Sequence, residues 1–258
     1  MILQMNAPQR LDVVLVERGL APSRERAQAL IAAGLVLIGT ERARSAAQRV
    51  AGGAEVAVTG RDHPWVGRGG VKLVAALDGF EVAVEGRTAL DAGASTGGFT
   101  EVLLDRGAAL VYAVDVGRGQ LHPRLAGDPR VVVMDRTNLR LLGAVPGRAP
   151  SLVTLDLAFI SLRLVLERVA ALAVPGAEVV ALFKPQFELG RDAVARGGVV
   201  RDPAAGEAGA RELLEWARLR LDATGRGPLP SPITGAKGNQ EWLLHLRLPG
   251  GGGGEVGG

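Results

Sequence analysis

Residues 87–107 read RTALDAGASTGGFTEVLLDRG, and the way this stretch divides decides the fold. A short apolar run closes on an acid, Asp91, and is followed by a loop with Gly93, Gly97 and Gly98. FTEVLLDRG then carries apolar residues at helical spacing. Strand, glycine turn and helix open a parallel α/β unit, whose ligands sit beyond the carboxyl ends of the strands. The loop is not the G-x-G-x-x-G fingerprint and has no P-loop lysine, which disfavours a nucleotide-phosphate site. Its glycines let backbone come close to a ligand at an electropositive helix start, with Ser95, Thr96 and Phe99 as neighbours.

Outward from this stretch the same alternation repeats. LVYAVDV, RVVVMD, SLVTLD and AEVVALFK read as strands, with helical patterns such as SLRLVLERVAALA and EAGARELLEWARLRLDATG between or after them. The expected fold is a mostly parallel sheet covered by helices, closed by a pair near LPSPIT and QEWLLHLRL. Asp91, Asp115, Asp135, Asp156 and Lys184 each end a strand, and five polar residues at five strand ends point to one site. An acid leading the glycine loop suits the cationic methionyl end of S-adenosylmethionine. Asp115 stands where an acid accepts hydrogen bonds from ribose hydroxyls. Asp135 is expected to address the adenine, or else to serve as a cap or turn residue.

Lys184 raises its own question. The chain has 30 Lys plus Arg but only three lysines, Lys72, Lys184 and Lys237. Arginine stays cationic, whereas a lysine amine can give up its proton when its surroundings favour that. A lysine closing the apolar run VVALFK therefore calls for a chemical reason.

Residues 10–60 have a different rhythm. RLDVVLVERGL reads as a short amphipathic helix ending at Gly19, and Ser23 as the N-cap of a second one. VLIG, RV and EVAV then read as short strands around turns. Arg10, Arg24 and Arg26 fall on the helical part and Arg42 and Arg44 on the hairpin region, either as a solvated face or as a surface for an anionic partner. RDHPWV is the expected connector, with Trp65 packing one part onto the other. The boundaries so read are 1–60, a linker at 61–66, a second domain at 67–248 and a glycine-rich tail at 249–258, expected to be disordered.

Composition removes several function classes. There is no Cys, hence no disulfide framework and no thiol nucleophile, and the three His are far apart, so no metal site is expected. No run of 18 apolar residues exists and the start lacks signal-peptide order, which predicts a soluble, cytoplasmic protein without a membrane partner.

The pattern RLD..L...GL..SR..A..LI..G.V resembles the small RNA-binding domain named after ribosomal protein S-four. DAGASTGGFT, YAVDVGRGQL, DLAFISL, KPQFE, GGVVRD and SPITGAKGNQEW together resemble the TlyA family, whose second domain is similar to the FtsJ ribose methyltransferases. The resemblance runs from about Arg10 to Leu248; Gly67, Ala158 and Trp242 stand where the family usually has Ser, Ser and Phe. It implies a Rossmann-like class I methyltransferase sheet behind a small α+β RNA-binding domain. It also implies S-adenosylmethionine as cofactor, ribosomal RNA and ribosomal subunits as partners, and cytidine ribose 2′-hydroxyls as the methylated groups. Structured RNA is then held chiefly through phosphates, and Arg68 joins the candidate phosphate contacts.

The resemblance further implies a Lys-Asp-Lys-Glu tetrad, here Lys72, Asp156, Lys184 and Glu241. A ribose hydroxyl is a weak acid and a poor nucleophile. A neutral Lys184 accepts its proton, or a cationic one orients it and stabilises developing alkoxide; the residue types leave both open. Two ordinary surface ion pairs would also use two lysines and two acids. A non-catalytic RNA-binding factor and a membrane-active hemolysin are the competing functions, the first compatible with loss of the tetrad, the second requiring a spanning or amphipathic membrane element.

Overall fold

The computed structural model describes residues 8–250 apart from Pro22, Ala33, Gly60, Arg61, Asp62, Arg196 and Ala236. Most of the expected tail, and residues 61–62 of the expected linker, lie outside the described residues. The chain divides into two compact units, Met1–Pro64 and Trp65–Gly258.

The first unit begins with β1 (Gln9–Arg10), α1 (Leu11–Glu17) and α2 (Arg24–Ala32), followed by β2 (Val36–Ile38), β3 (Glu41–Arg42), β4 (Arg49–Val50) and β5 (Val56–Val58). The Ser23 hydroxyl accepts the Arg26 backbone N–H at 3.2 Å, the N-cap contact expected from the sequence. Gly19 and Gly34 follow the helices with φ of +68° and +70°, a region that favours glycine. Strand β2 is central in an antiparallel sheet of order β3-β2-β5, and β1 pairs with β4. Leu11, Leu15, Ala27, Leu30, Ile31, Val36 and Val50 form the core.

The second unit runs α3 (Gly69–Gly79), β6 (Thr88–Ala92), α4 (Gly98–Asp105), β7 (Leu110–Val114), α5 (Pro123–Ala126) and β8 (Val131–Met134). It continues with β9 (Leu152–Leu155), α6 (Arg163–Leu172), β10 (Glu178–Phe183), α7 (Pro185–Glu188), α8 (Pro203–Leu221), β11 (Thr224–Pro230) and β12 (Trp242–Arg247). The sheet order is β11-β12-β10-β9-β6-β7-β8. The pairs from β10 to β8 are parallel, and β12 pairs antiparallel with both β10 and β11. The expected parallel sheet with a closing pair is therefore present. The order reverses between β6 and β9, and that switch point is where open α/β sheets bind ligands.

Strand periodicity places the functional residues. Along β10, Val179, Ala181 and Phe183 join the core that includes α6 and α8, while Val180 and Leu182 join the core built on α3 and α4. Lys184, two residues beyond Leu182, ends the strand on the α3 side. Glu241 precedes Trp242, which pairs with Phe183 and shares its core, so Glu241 falls on the α3 side too. The same alternation turns Asp91, after Leu90, and Asp156, after Leu155, toward α3 and α4. One helix on that face, α3, carries Lys72 on its buried side.

Candidate active site

Four charged side chains form two pairs, one buried and one partly buried. Lys72 Nζ donates to Glu241 Oε2 at 2.5 Å, with side-chain exposures of 11% and 3%. Lys184 Nζ stands 2.6 Å from Asp156 Oδ1, at 13% and 20%. The second contact is an ion pair without a directed hydrogen bond, so the buried Oδ1 keeps acceptor capacity. The start of α3 ties the pairs to one site: a Cβ on Gly69 would lie 3.6 Å from Asp156 Oδ2, and Lys72 is one turn further along the same face. These are not surface ion pairs. Charges removed from water need a compensating reason to persist, because desolvation offsets most of their attraction.

Beside Asp156 opens a cavity of about 490 Å³. Its walls include Gly93, Ser95, Asp115, Gln120, Asp156 and Leu157. A smaller recess shares Gly93, Ser95 and Asp156 with it and reaches Gly67 and Gly69, so Asp156 borders both. Asp115 is fixed by two backbone donors, Ser95 N–H to Oδ2 at 2.9 Å and Gly117 N–H to Oδ1 at 2.7 Å. Gly93 has φ of +85°, and a Cβ there would meet the Asp156 carbonyl oxygen at 2.5 Å, so only glycine closes this turn against β9. The size, the mostly apolar wall and an acid at a strand end fit S-adenosylmethionine, with Asp115 as partner for ribose hydroxyls.

The other expected cofactor residues are arranged differently. Asp91 is fully buried and is not among the residues lining the cavity. Its Oδ2 accepts from Thr100 Oγ1 at 2.6 Å and its Oδ1 from Thr154 Oγ1 at 3.1 Å. Burial pushes its carboxyl up to about 7, against the pull of these two hydroxyls and helped by the negative charge of Asp156. Asp91 thus ties the first turn of α4 to β9. Asp135, expected at the adenine, accepts the Gly119 N–H at 2.7 Å and is also absent from the cavity wall; the turn reading is the one the geometry favours. Gly97 has φ of +97°, and a Cβ there would meet Leu125 at 2.3 Å and Leu121 at 2.8 Å. Gly98 is in close contact with Gly67 and Gly70. These two glycines are required by packing within the unit, while Gly93 and Ser95 reach the cavity. Thr96, Gly98 and Phe99 line the recess.

Some participants escaped the sequence reading. Thr154 is the polar exception in the buried strand LVTL, which is the signal that could have paired it with Asp91. Glu188 accepts Ser161 Oγ and Leu162 N–H, both at 2.7 Å, and so anchors the end of the loop that carries Leu157 and Phe159 on the cavity wall. Burial pushes its carboxyl above the usual range. Phe159 is 90% exposed with φ of +63° and its ring lies 5.0 Å from that of Phe187.

Of the expected RNA-binding arginines, Arg10 and Arg24 both bond to Asp12, while Arg44 stands 3.9 Å from Glu41. Arg42 is exposed, the Arg26 backbone is held by Ser23, and Arg68, in the second unit, donates to the Thr234 carbonyl at 3.2 Å. Trp65 packs on Gly70 inside the second unit, where a Cβ would meet its ring at 2.3 Å.

Comparison with known proteins shows the family. The sequence pattern of FtsJ-like methyltransferases matches residues 65–248, and that of the S4 domain matches residues 9–56. The 16S/23S rRNA (cytidine-2′-O)-methyltransferase TlyA of Mycobacterium tuberculosis is 51% identical over 92% of this chain and 89% of its own. Hemolysin A of Brachyspira hyodysenteriae is 36% identical over 92% of this chain and 99% of its own. A solved structure from Streptococcus thermophilus, which carries a hemolysin name, is 39% identical with a TM-score of 0.73, covering 94% of this chain and 89% of that one. Among the described residues no helix is long and apolar enough to cross a membrane. The chain carries an S4 domain and belongs to the FtsJ-like methyltransferase family, enzymes that depend on S-adenosylmethionine.

Proposed function

We propose that the chain methylates the ribose 2′-hydroxyl of cytidine in the RNA of ribosomal subunits, in the cytoplasm. The observation that carries this reading is the pairing of Lys184 with Asp156, whose carboxylate borders the cavity that Asp115 also lines, with the Lys72–Glu241 pair on the same side of the sheet. The name of the M. tuberculosis relative and the S4 domain support ribosomal RNA as substrate. A factor that only bound RNA would have no use for a lysine–carboxylate pair at the edge of a cofactor-sized cavity.

Bound in that cavity, S-adenosylmethionine supplies an electrophilic methyl group. The chain's own residues prepare the other reactant. Lys184 Nζ orients the hydroxyl and, once its own proton has passed to solvent, takes the hydroxyl proton as the oxygen attacks. Asp156, 2.6 Å away, stabilises the ammonium that results. Lys72, held by Glu241, contributes positive field beside the negative charge developing on the ribose oxygen. Asp115 and Ser95 position the donor, and Asp91 ties the first turn of α4 to β9 through Thr100 and Thr154.

The test is transfer of tritiated methyl from S-adenosylmethionine to small and large ribosomal subunits, assayed separately. Label is expected in the RNA of at least one. Label in ribosomal protein alone, or in neither subunit, overturns the reading.

A further inference from the structure

The first unit buries one acid completely. Asp12, in the first turn of α1, has no exposed surface. Its Oδ1 accepts from Arg10 Nε at 3.0 Å. Its Oδ2 accepts from Arg10 Nη2 at 3.1 Å, Arg24 Nη2 at 2.9 Å and Gln28 Nε2 at 3.1 Å. These donors come from β1 and from both ends of the first half of α2, so one carboxylate gathers three segments. The Arg10 guanidinium, followed by Arg24 and Gln28, holds that carboxyl far below the usual aspartate range.

The consequence for the arginines is specific. Two guanidinium groups that repel one another are held side by side on a shared oxygen, Oδ2. Each side chain is nonetheless about half exposed, at 44% and 54%. A guanidinium has five N–H groups in a rigid fork, and Asp12 takes two of those on Arg10 and one on Arg24. Glu25 adds a second, exposed carboxylate beside Arg24, but Asp12 itself is sealed, so the outward face of the cluster is the free N–H groups of two guanidiniums fixed in place, an arrangement suited to a tetrahedral oxyanion. Other arginines of the unit are committed elsewhere: Arg18 donates to the Gly52 and Ala54 carbonyls and Arg49 to that of Pro8.

We propose that Asp12 is a positioning residue that makes Arg10 and Arg24 into a single site for one phosphodiester of the substrate RNA. The proposal rests on the RNA substrate argued above. It also makes a prediction opposite in sign to charge counting. Asp12→Asn keeps the shape and removes a negative charge, so unspecific electrostatics predicts tighter RNA binding. Loss of positioning predicts weaker binding.

The experiment measures retention of purified ribosomal subunits by the full-length protein across a salt series, with folding of each variant checked by circular dichroism. Asp12→Asn is expected to weaken binding by roughly tenfold and to make the salt dependence shallower by about one phosphate contact. Because Asp12→Asn can impair folding, Arg10→Gln, Arg24→Gln and their combination form an independent arm. If the two arginines grip one phosphate, the double variant loses little more than either single one. Unchanged or tighter binding by folded Asp12→Asn, or additive losses in the arginine cycle, overturns the site while wild-type binding stands. Wild-type protein that retains no ribosomal RNA instead overturns the functional reading together with the site.

Discussion

Lys72 on α3 and Glu241 at the head of β12 meet at 2.5 Å although 169 residues separate them in the chain. On the same side of the sheet, Lys184 pairs with Asp156 at the ends of β10 and β9, and the two pairs together are the catalytic group proposed above. Apolar clusters pack on both faces of the sheet beside these pairs. Replacing both members of a buried pair with apolar residues of similar volume is often neutral or stabilising. Lys72→Met combined with Glu241→Leu is therefore expected to melt at or above the wild-type temperature while losing most methyl transfer. A large drop in melting temperature with activity retained would make the pair a structural brace.

Asp115 offers a test of the cofactor cavity. Asp115→Ala removes the acceptor of two backbone N–H groups and the acid proposed for the ribose hydroxyls. Calorimetry with S-adenosylmethionine is expected to show affinity reduced by ~10-fold or more, in line with the loss of hydrogen bonds to a charged group. Asp135→Ala, whose carboxylate serves only Gly119 among the hydrogen bonds described, is expected to cost much less. Equal losses for the two would return Asp135 to the cofactor.

Gly97→Val is expected to abolish cofactor binding by an indirect route. The added side chain collides with Leu121 and Leu125 and demands a φ that valine avoids. The variant should lose thermal stability as well as affinity. Full stability with affinity lost would mean that the glycine faces the ligand itself.

The buried acid Asp91 gives the enzyme a pH signature. An unfolded-state aspartate titrates near ~4, whereas Asp91 in the folded chain is pushed up to about 7. Between those values the folded state holds the extra proton, so the Asp91 contribution to stability falls as pH rises through that window. Asp91→Asn is expected to gain stability relative to wild type at pH 8 compared with pH 4, by on the order of a few kcal/mol. Melting curves of both proteins across this range measure it; a difference independent of pH contradicts the assignment.

Much of this arrangement was legible in the sequence, for a physical reason. Apolar runs closed by a polar residue, LVTLD and VVALFK, placed Asp156 and Lys184 at strand ends, and the family resemblance grouped them with Lys72 and Glu241. What escaped was the partner of each polar atom. Asp91 is 63 residues from Thr154, and Asp12 is 16 from Gln28, with the intervening chain deciding whether they meet. Asp91 and Asp135 both end a strand, yet one is sealed under two hydroxyls and the other spent on a turn. Position on a strand identified the edge of the site, and tertiary packing decided which acids face the cavity.

The most direct test is single-turnover methylation of ribosomal RNA by wild type and Lys184→Arg, each shown to be folded and cofactor-bound, with the product digested to nucleosides and weighed. Guanidinium keeps the charge but does not give up a proton and presents its donors in a planar fork. Wild type should yield 2′-O-methylcytidine, and Lys184→Arg should be slower by roughly 10²-fold or more, the scale of a lost proton acceptor. Base-methylated product, or near-wild-type rates from Lys184→Arg, would contradict the account.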